Sequence, residues 1–134
     1  MAGMMVKNMS FKVGQTLTIV GVPKPDATDF AVNINNSNNN DIALRISPRF
    51  SVSSDDEMVV FNSRKGGVWG SEIRQPGNPF TQGKDFTIVI NFTRAGFQGN
   101  LQDKSFTFPN RLEEDKYTGL SFEGGARIQS TEIK

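Results

Sequence analysis

Four of the seven arginines, Arg45, Arg49, Arg64 and Arg74, fall within thirty residues that also hold Asn62, Glu72 and the only tryptophan, Trp69. A planar aromatic beside such side chains suits a sugar. The apolar C–H face of a pyranose can stack on indole, while its hydroxyls take directional bonds from residues that donate and accept. Arg74 and Glu72, two apart, can hold one another by charge-assisted hydrogen bonds. The plain alternative is a solvated sheet face with surface ion pairs, which contribute little to stability.

Strands are what would bring these residues together. In the stretch Ile42 to Ile46 the even positions are apolar, so Arg45, Ser47 and Arg49, at steps of two, share the opposite, solvent face. Asn62 lies on the following strand, and Glu72 and Arg74 share a face on the next. If the three strands are neighbours, their polar side chains converge on one patch.

Period-two alternation runs through the chain. Phe30, Val32 and Ile34 face one way and Ala31, Asn33 and Asn35 the other; Phe86, Ile88, Ile90 and Phe92 repeat the pattern against Thr87, Val89 and Asn91. Shorter runs contain Leu17 and Ile19, Val59 and Phe61, Phe106 and Phe108, and Leu120 and Phe122. Turn signals separate them: Pro23 to Asp26, Asn36 to Asn40, Ser53 to Asp56, Lys65-Gly66-Gly67, Gln75 to Pro79, Arg94 to Gly96, and Glu123-Gly124-Gly125. Many short antiparallel strands joined by tight turns predict an all-β sandwich, and the 11 phenylalanines suit a core between two sheets. After Pro109 the run Asn110 to Lys116 reads as a short helical or 3₁₀ turn with a solvated charged face.

Composition narrows the chemistry. With 134 residues the chain is expected to form one domain. It has no cysteine and no histidine, which removes thiol nucleophiles, serine–histidine triads, a histidine base and the usual zinc sites. A net charge of +1 argues against a general nucleic-acid binder. No segment reaches the ~18 apolar residues of a membrane helix, so no membrane insertion is expected. Met1 to Ser10 lacks the apolar run of a secretory signal, and Ala2 stands where myristoylation needs glycine. Asn-x-Ser/Thr triplets at Asn8, Asn35 and Asn91 are read as chance. A glycosidase needs two carboxylates flanking the scissile bond, and the patch offers one, Glu72, while Asp55, Asp56 and Glu57 sit in a predicted turn. An enzyme is not expected, nor a metal or cofactor.

The segment from Arg45 to Arg74 resembles the carbohydrate-recognition motif of the galectins, and the likeness extends over nearly the whole chain. It is carried by Asn62 in Val59-Val60-Phe61-Asn62-Ser63, by Trp69-Gly70-Ser71-Glu72-Ile73-Arg74, by Pro79-Phe80 followed by Gly83, and by Phe108-Pro109-Asn110-Arg111. The resemblance is to single-domain, prototype galectins of the fish, congerin-like kind. It implies a two-sheet antiparallel jelly-roll sandwich, galectin- and legume-lectin-like, with residues 1–134 forming one carbohydrate-recognition domain. By that analogy Trp69 stacks on the first sugar, and Asn62 and Glu72 bond its 6-hydroxyl. Arg49 reaches the ring oxygen and 4-hydroxyl and, with Glu72 and Arg74, the next sugar. The resemblance further implies glycan partners on glycoproteins or glycolipids, host or microbial. It also implies a homodimer through edge strands near Val6 to Phe11 and Ala126 to Ile133, and both cytoplasmic and extracellular residence by a route that needs no signal peptide.

One departure stands out. Galectins read His-x-Asn-Pro-Arg where this chain has Arg45-Ile46-Ser47-Pro48-Arg49, so two residues that meet the axial 4-hydroxyl differ. A guanidinium offers only donors, whereas a neutral imidazole can accept, and serine is shorter than asparagine. Three outcomes are open. The site has turned to mannose- or glucose-type sugars or to charged glycans, it remains a weak β-galactoside site, or the fold serves protein interaction without sugar.

Overall fold

The structure is a computed structural model, and it describes residues 4–36, 41–50 and 57–134. The predicted turns at Ser53 to Asp56 and most of Asn36 to Asn40 lie outside the described residues, as do Asp55 and Asp56. Among the described residues there are fourteen strands, the longer ones formed from the alternating runs: β1 (Met5–Val6), β2 (Phe11–Lys12), β3 (Thr16–Pro23), β4 (Phe30–Asn35), β5 (Ile42–Arg49), β6 (Met58–Lys65), β7 (Val68–Trp69), β8 (Ile73–Pro76), β9 (Phe86–Thr93), β10 (Gly96–Leu101), β11 (Lys104–Pro109), β12 (Lys116–Tyr117), β13 (Gly119–Gly124) and β14 (Ala126–Ile133). No helix occurs among the described residues, so none is long and apolar enough to cross a membrane.

One sheet runs β1-β13-β4-β5-β6-β7, with β8 also pairing to β6; the other runs β11-β10-β9-β3-β14, and β12 with β2 makes a small third ribbon. All pairs are antiparallel. This is the sandwich that the alternation predicts. Phe30, Val32, Ile34, Leu44, Ile46 and Phe61 of the first sheet meet Leu17, Ile19, Ile88, Ile90, Phe106 and Phe108 of the second in one hydrophobic cluster. Rings bridge the layers: Phe30 and Phe86 stack with centroids 5.1 Å apart, Phe61 and Phe106 at 5.4 Å. Such offset pairs add packing energy beyond the area they bury.

One local reading changes. Ile42 is expected beside Leu44 and Ile46 in the core, but the register slips by one residue between Ile42↔Arg64 and Arg45↔Asn62. The extra residue on β5 is a bulge, which turns the strand so that Ile42 shares a face with Arg64 while Ala43 joins the core. In β4, Ala31 and Asn33 face away from Phe30, Val32 and Ile34, as the alternation predicts, and both are only 2% exposed. β4 is flanked by β13 and β5, and the long side chains of Glu123 and Arg45 reach over Asn33. The segment after Pro109 makes a single turn, closed by Glu113 N–H donating to the Asn110 carbonyl, with Glu113 at φ 61°. No helix follows it.

Candidate functional site

The groove face of the first sheet is set by register. Arg45 on β5 stands opposite Asn62 on β6; Ser47 stands opposite Val60, which in turn faces Arg74 on β8. Two glycines place the tryptophan. β6 turns into β7 through Gly66 and Gly67, at φ 60° and 82°, the left-handed pair that a two-residue hairpin loop needs. Trp69 thereby pairs with Arg64, and Gly70 N–H donates to the Ser63 carbonyl at 2.9 Å. The indole is 46% exposed, an unusual state for the largest apolar side chain.

Arg45, Ser47, Arg49, Asn62, Trp69 and Glu72 line one cleft of about 380 Å³, with Val60 and Gly70 completing it. Six of the seven residues singled out from the sequence are therefore brought together. The seventh, Arg74, stands beside the cleft and donates from Nε and Nη2 to Oε1 of Glu72 at 3.1 and 2.9 Å. That fork occupies one carboxylate oxygen, and Oε2 has no hydrogen-bond partner among the described residues. Ser47 and Asn62 are only 5% and 7% exposed and form the floor. Asn62 Oδ1 accepts from Ser63 N–H at 2.8 Å and from Arg111 Nη1 at 3.3 Å. Its amide N–H groups are left without a protein partner among the described residues.

Sequence reasoning assigned no role to Arg111, Asn33, Ser121 or Glu123. Arg111 follows β11, lies over the Phe108 ring at 4.7 Å, and reaches Asn62 and Ser63. Arg45 Nη1 donates to Glu123 Oε2 and to Asn33 Oδ1, the latter at 3.3 Å. Asn33 Nδ2 donates to Glu123 Oε2 at 2.7 Å and to Ser121 Oγ at 3.2 Å. Burial alone would raise the Glu123 pKa; the hydrogen bonds from Asn33 and Arg45 and the charge of Arg45 outweigh it and hold the carboxyl below its usual range. Asn33 was legible as a polar position on β4. What pairs β4 with β13, some ninety residues on, leaves no local signal.

The face is basic. Among the described residues, Arg45, Arg49, Arg64, Arg74 and Arg111 stand against Glu72 and Glu123, and neither Arg49 nor Arg64 has an ion pair there. Two guanidiniums, those of Arg45 and Arg64, lie 5.6 and 5.7 Å from the Trp69 ring centroid, within cation–π range. Among the described residues no three carboxylates cluster as a metal centre would require.

Residues 3–133 match the family model described as galactoside-binding lectin. The beta-galactoside-binding lectin of Electrophorus electricus is 49% identical over 135 residues, covering 100% of this chain and 99% of that protein. Among solved structures, the Dario rerio galectin-1-L2 superposes with a TM-score of 0.91 at 50% identity, covering 98% of this chain and 99% of that one. Ancestral congerin Con-anc gives 0.90 at 35% identity, covering 98% of this chain and all of that one. The chain therefore belongs to the galectins, the galactoside-binding lectin family, whose members are sugar-binding proteins rather than enzymes, and its neighbours include fish galectins and congerins.

Proposed function

We propose that residues 1–134 form a single carbohydrate-recognition domain that seats a glycan in the cleft between β5, β6 and β7. Its preference is shifted from plain β-galactosides to glycans carrying a sulfate or carboxylate. The observation that carries this reading is the exposed Trp69 in a cleft lined by Arg45 and Arg49, with Arg64, Arg74 and Arg111 close by and, among the described residues, Glu72 and Glu123 set against them. A sugar ring stacks on the indole, Asn62 and Glu72 bond a hydroxymethyl group, and Arg49 meets the ring oxygen. Arg49 and Arg64, free of ion pairs among the described residues, meet the anionic substituent by charge-assisted bonds. Arg45 and Ser47 in place of histidine and asparagine remove the acceptor and the reach that an axial hydroxyl uses.

The partners are glycans of glycoproteins or glycolipids, host or microbial, met outside or inside the cell. Two edge strands, β1 with exposed Met4 and Met5 and β14 on the other sheet, are the surfaces through which two copies would pair. A dimer doubles the sites per particle and raises avidity on clustered glycans.

Trp69 is the only indole, so its fluorescence reports the proposed contact directly. Titration with lactose, mannose and a sulfated galactoside, with sucrose as refractive control, is expected to saturate at the lowest concentration for the sulfated sugar. Equal or tighter lactose binding supports an unaltered galactoside site instead, and saturation by mannose alone supports an equatorial-hydroxyl preference. A flat response to all three at millimolar concentration overturns the lectin reading in favour of a protein-interaction surface.

A further inference from the structure

The groove face does not stop at the cleft. Ser121 on β13, Asn33 on β4, Arg45 on β5 and Asn62 on β6 stand in one transverse row, each opposite the next. A linear glycan laid across the sheet would meet them in turn. The cleft lining nevertheless ends at Arg45.

The guanidinium explains why. Its Nη1 holds Glu123, two strands to one side, while its Cζ stays 5.6 Å from the Trp69 ring, two strands to the other. Asn33, 2% exposed and fixed by Ser121, pins both partners at once. We infer that the Arg45–Glu123 bond is a clasp that closes the β4–β13 end of the cleft, so that the site takes the end of a glycan chain and rejects its interior. The inference rests on the carbohydrate reading of the same cleft. A sugar ring continuing past Arg45 has to break the ion pair or lift the guanidinium off the indole. The side chains of Arg45 and Glu123 are 27% and 53% exposed, so the clasp is of modest strength. A pair of that exposure biases binding by about three- to fivefold.

The test uses oligosaccharides of one, two and three repeats of a sulfated galactose–N-acetylglucosamine disaccharide, titrated against Trp69 fluorescence. For the wild-type protein the affinity per chain is expected to stay constant with length, because only the chain end is engaged. In Glu123→Ala it should rise about three- to fivefold from one repeat to three, as interior repeats become sites and reach β4 and β13. Arg45→Ala, which opens the clasp from the other side, should show the same rise whatever its absolute affinity. Thermal unfolding of both variants establishes that they fold. A wild-type affinity that climbs with length as steeply as in the variants overturns the clasp, as do variants that stay flat. Binding of no oligomer by any of the three proteins overturns the carbohydrate reading itself and the clasp with it.

Discussion

Restoring the family pattern on β5 gives the sharpest test of why this site should differ from its relatives. In the double variant Arg45→His/Ser47→Asn, two changes occur in a cleft floor already shaped for a sugar. Ser47 is 5% exposed and opposite Val60, so an asparagine there is held by packing and its amide extends toward the ligand. At position 45 an imidazole supplies the acceptor that a guanidinium lacks. A hydrogen bond to a buried partner is worth about 1–3 kcal/mol when its loss leaves a group unsatisfied. Two at the low end give ~2 kcal/mol, or about thirtyfold in affinity. Lactose binding, read by Trp69 fluorescence and checked by calorimetry, should tighten by about that factor, while the preference for a sulfated galactoside shrinks. Stability should fall by at most ~1 kcal/mol, because the Arg45–Glu123 pair that is lost is partly exposed. An unchanged lactose affinity in a folded double variant would refute the argument that these two positions set the preference.

Other expectations concern single groups. Glu72→Gln keeps the acceptor but loses the charge that anchors the Arg74 fork; lactose binding should weaken by about fivefold, and sulfated galactoside binding by less if the proposed charged-glycan preference holds, because a negative charge has left the cleft. The Glu123 carboxyl is held low in the folded state, so it contributes stability above the usual carboxylate pKa that disappears as pH falls through the lower folded value. Urea unfolding of Glu123→Gln and wild type should therefore differ at neutral pH and converge in acid. Tyr117, fully buried and the only tyrosine, has its pKa pushed up to about 12, chiefly by burial. Its ultraviolet absorbance should titrate near 12 in the folded protein and near the usual ~10 in urea, so its contribution to stability holds below pH ~10 and is lost as pH rises toward the folded value.

Most of the fold was legible because its strands alternate and its turns carry glycine, proline and asparagine. Leu17, Ile19, Ile88 and Ile90 are fully buried as the period demands. Period two fails where a residue is added, as at Ile42, and it holds at Asn33 without showing that long side chains from neighbouring strands bury the groove face there. Local patterns do not record either event. The candidate site was legible where its residues lie close in sequence, from Arg45 to Arg74. Glu123 and Arg111 were not, because pairing of β13 with β4 and the return of the chain after β11 bring them in from far along it. The charge state of Arg45 followed from its type; its occupation by Glu123 needed the tertiary structure.

The bulge in β5 has a consequence for variation among such chains. Upstream of it, the strand pairs Ile42 with Arg64; downstream, Arg45 with Asn62, one residue out of step. The strand thus contains a slip joint. A residue gained or lost ahead of the joint can be taken up there as a bulge that forms or straightens, and the phase of Arg45, Ser47 and Arg49 is preserved. The connection from β4 to β5 is in this way free to change length while the three side chains keep their aim into the cleft.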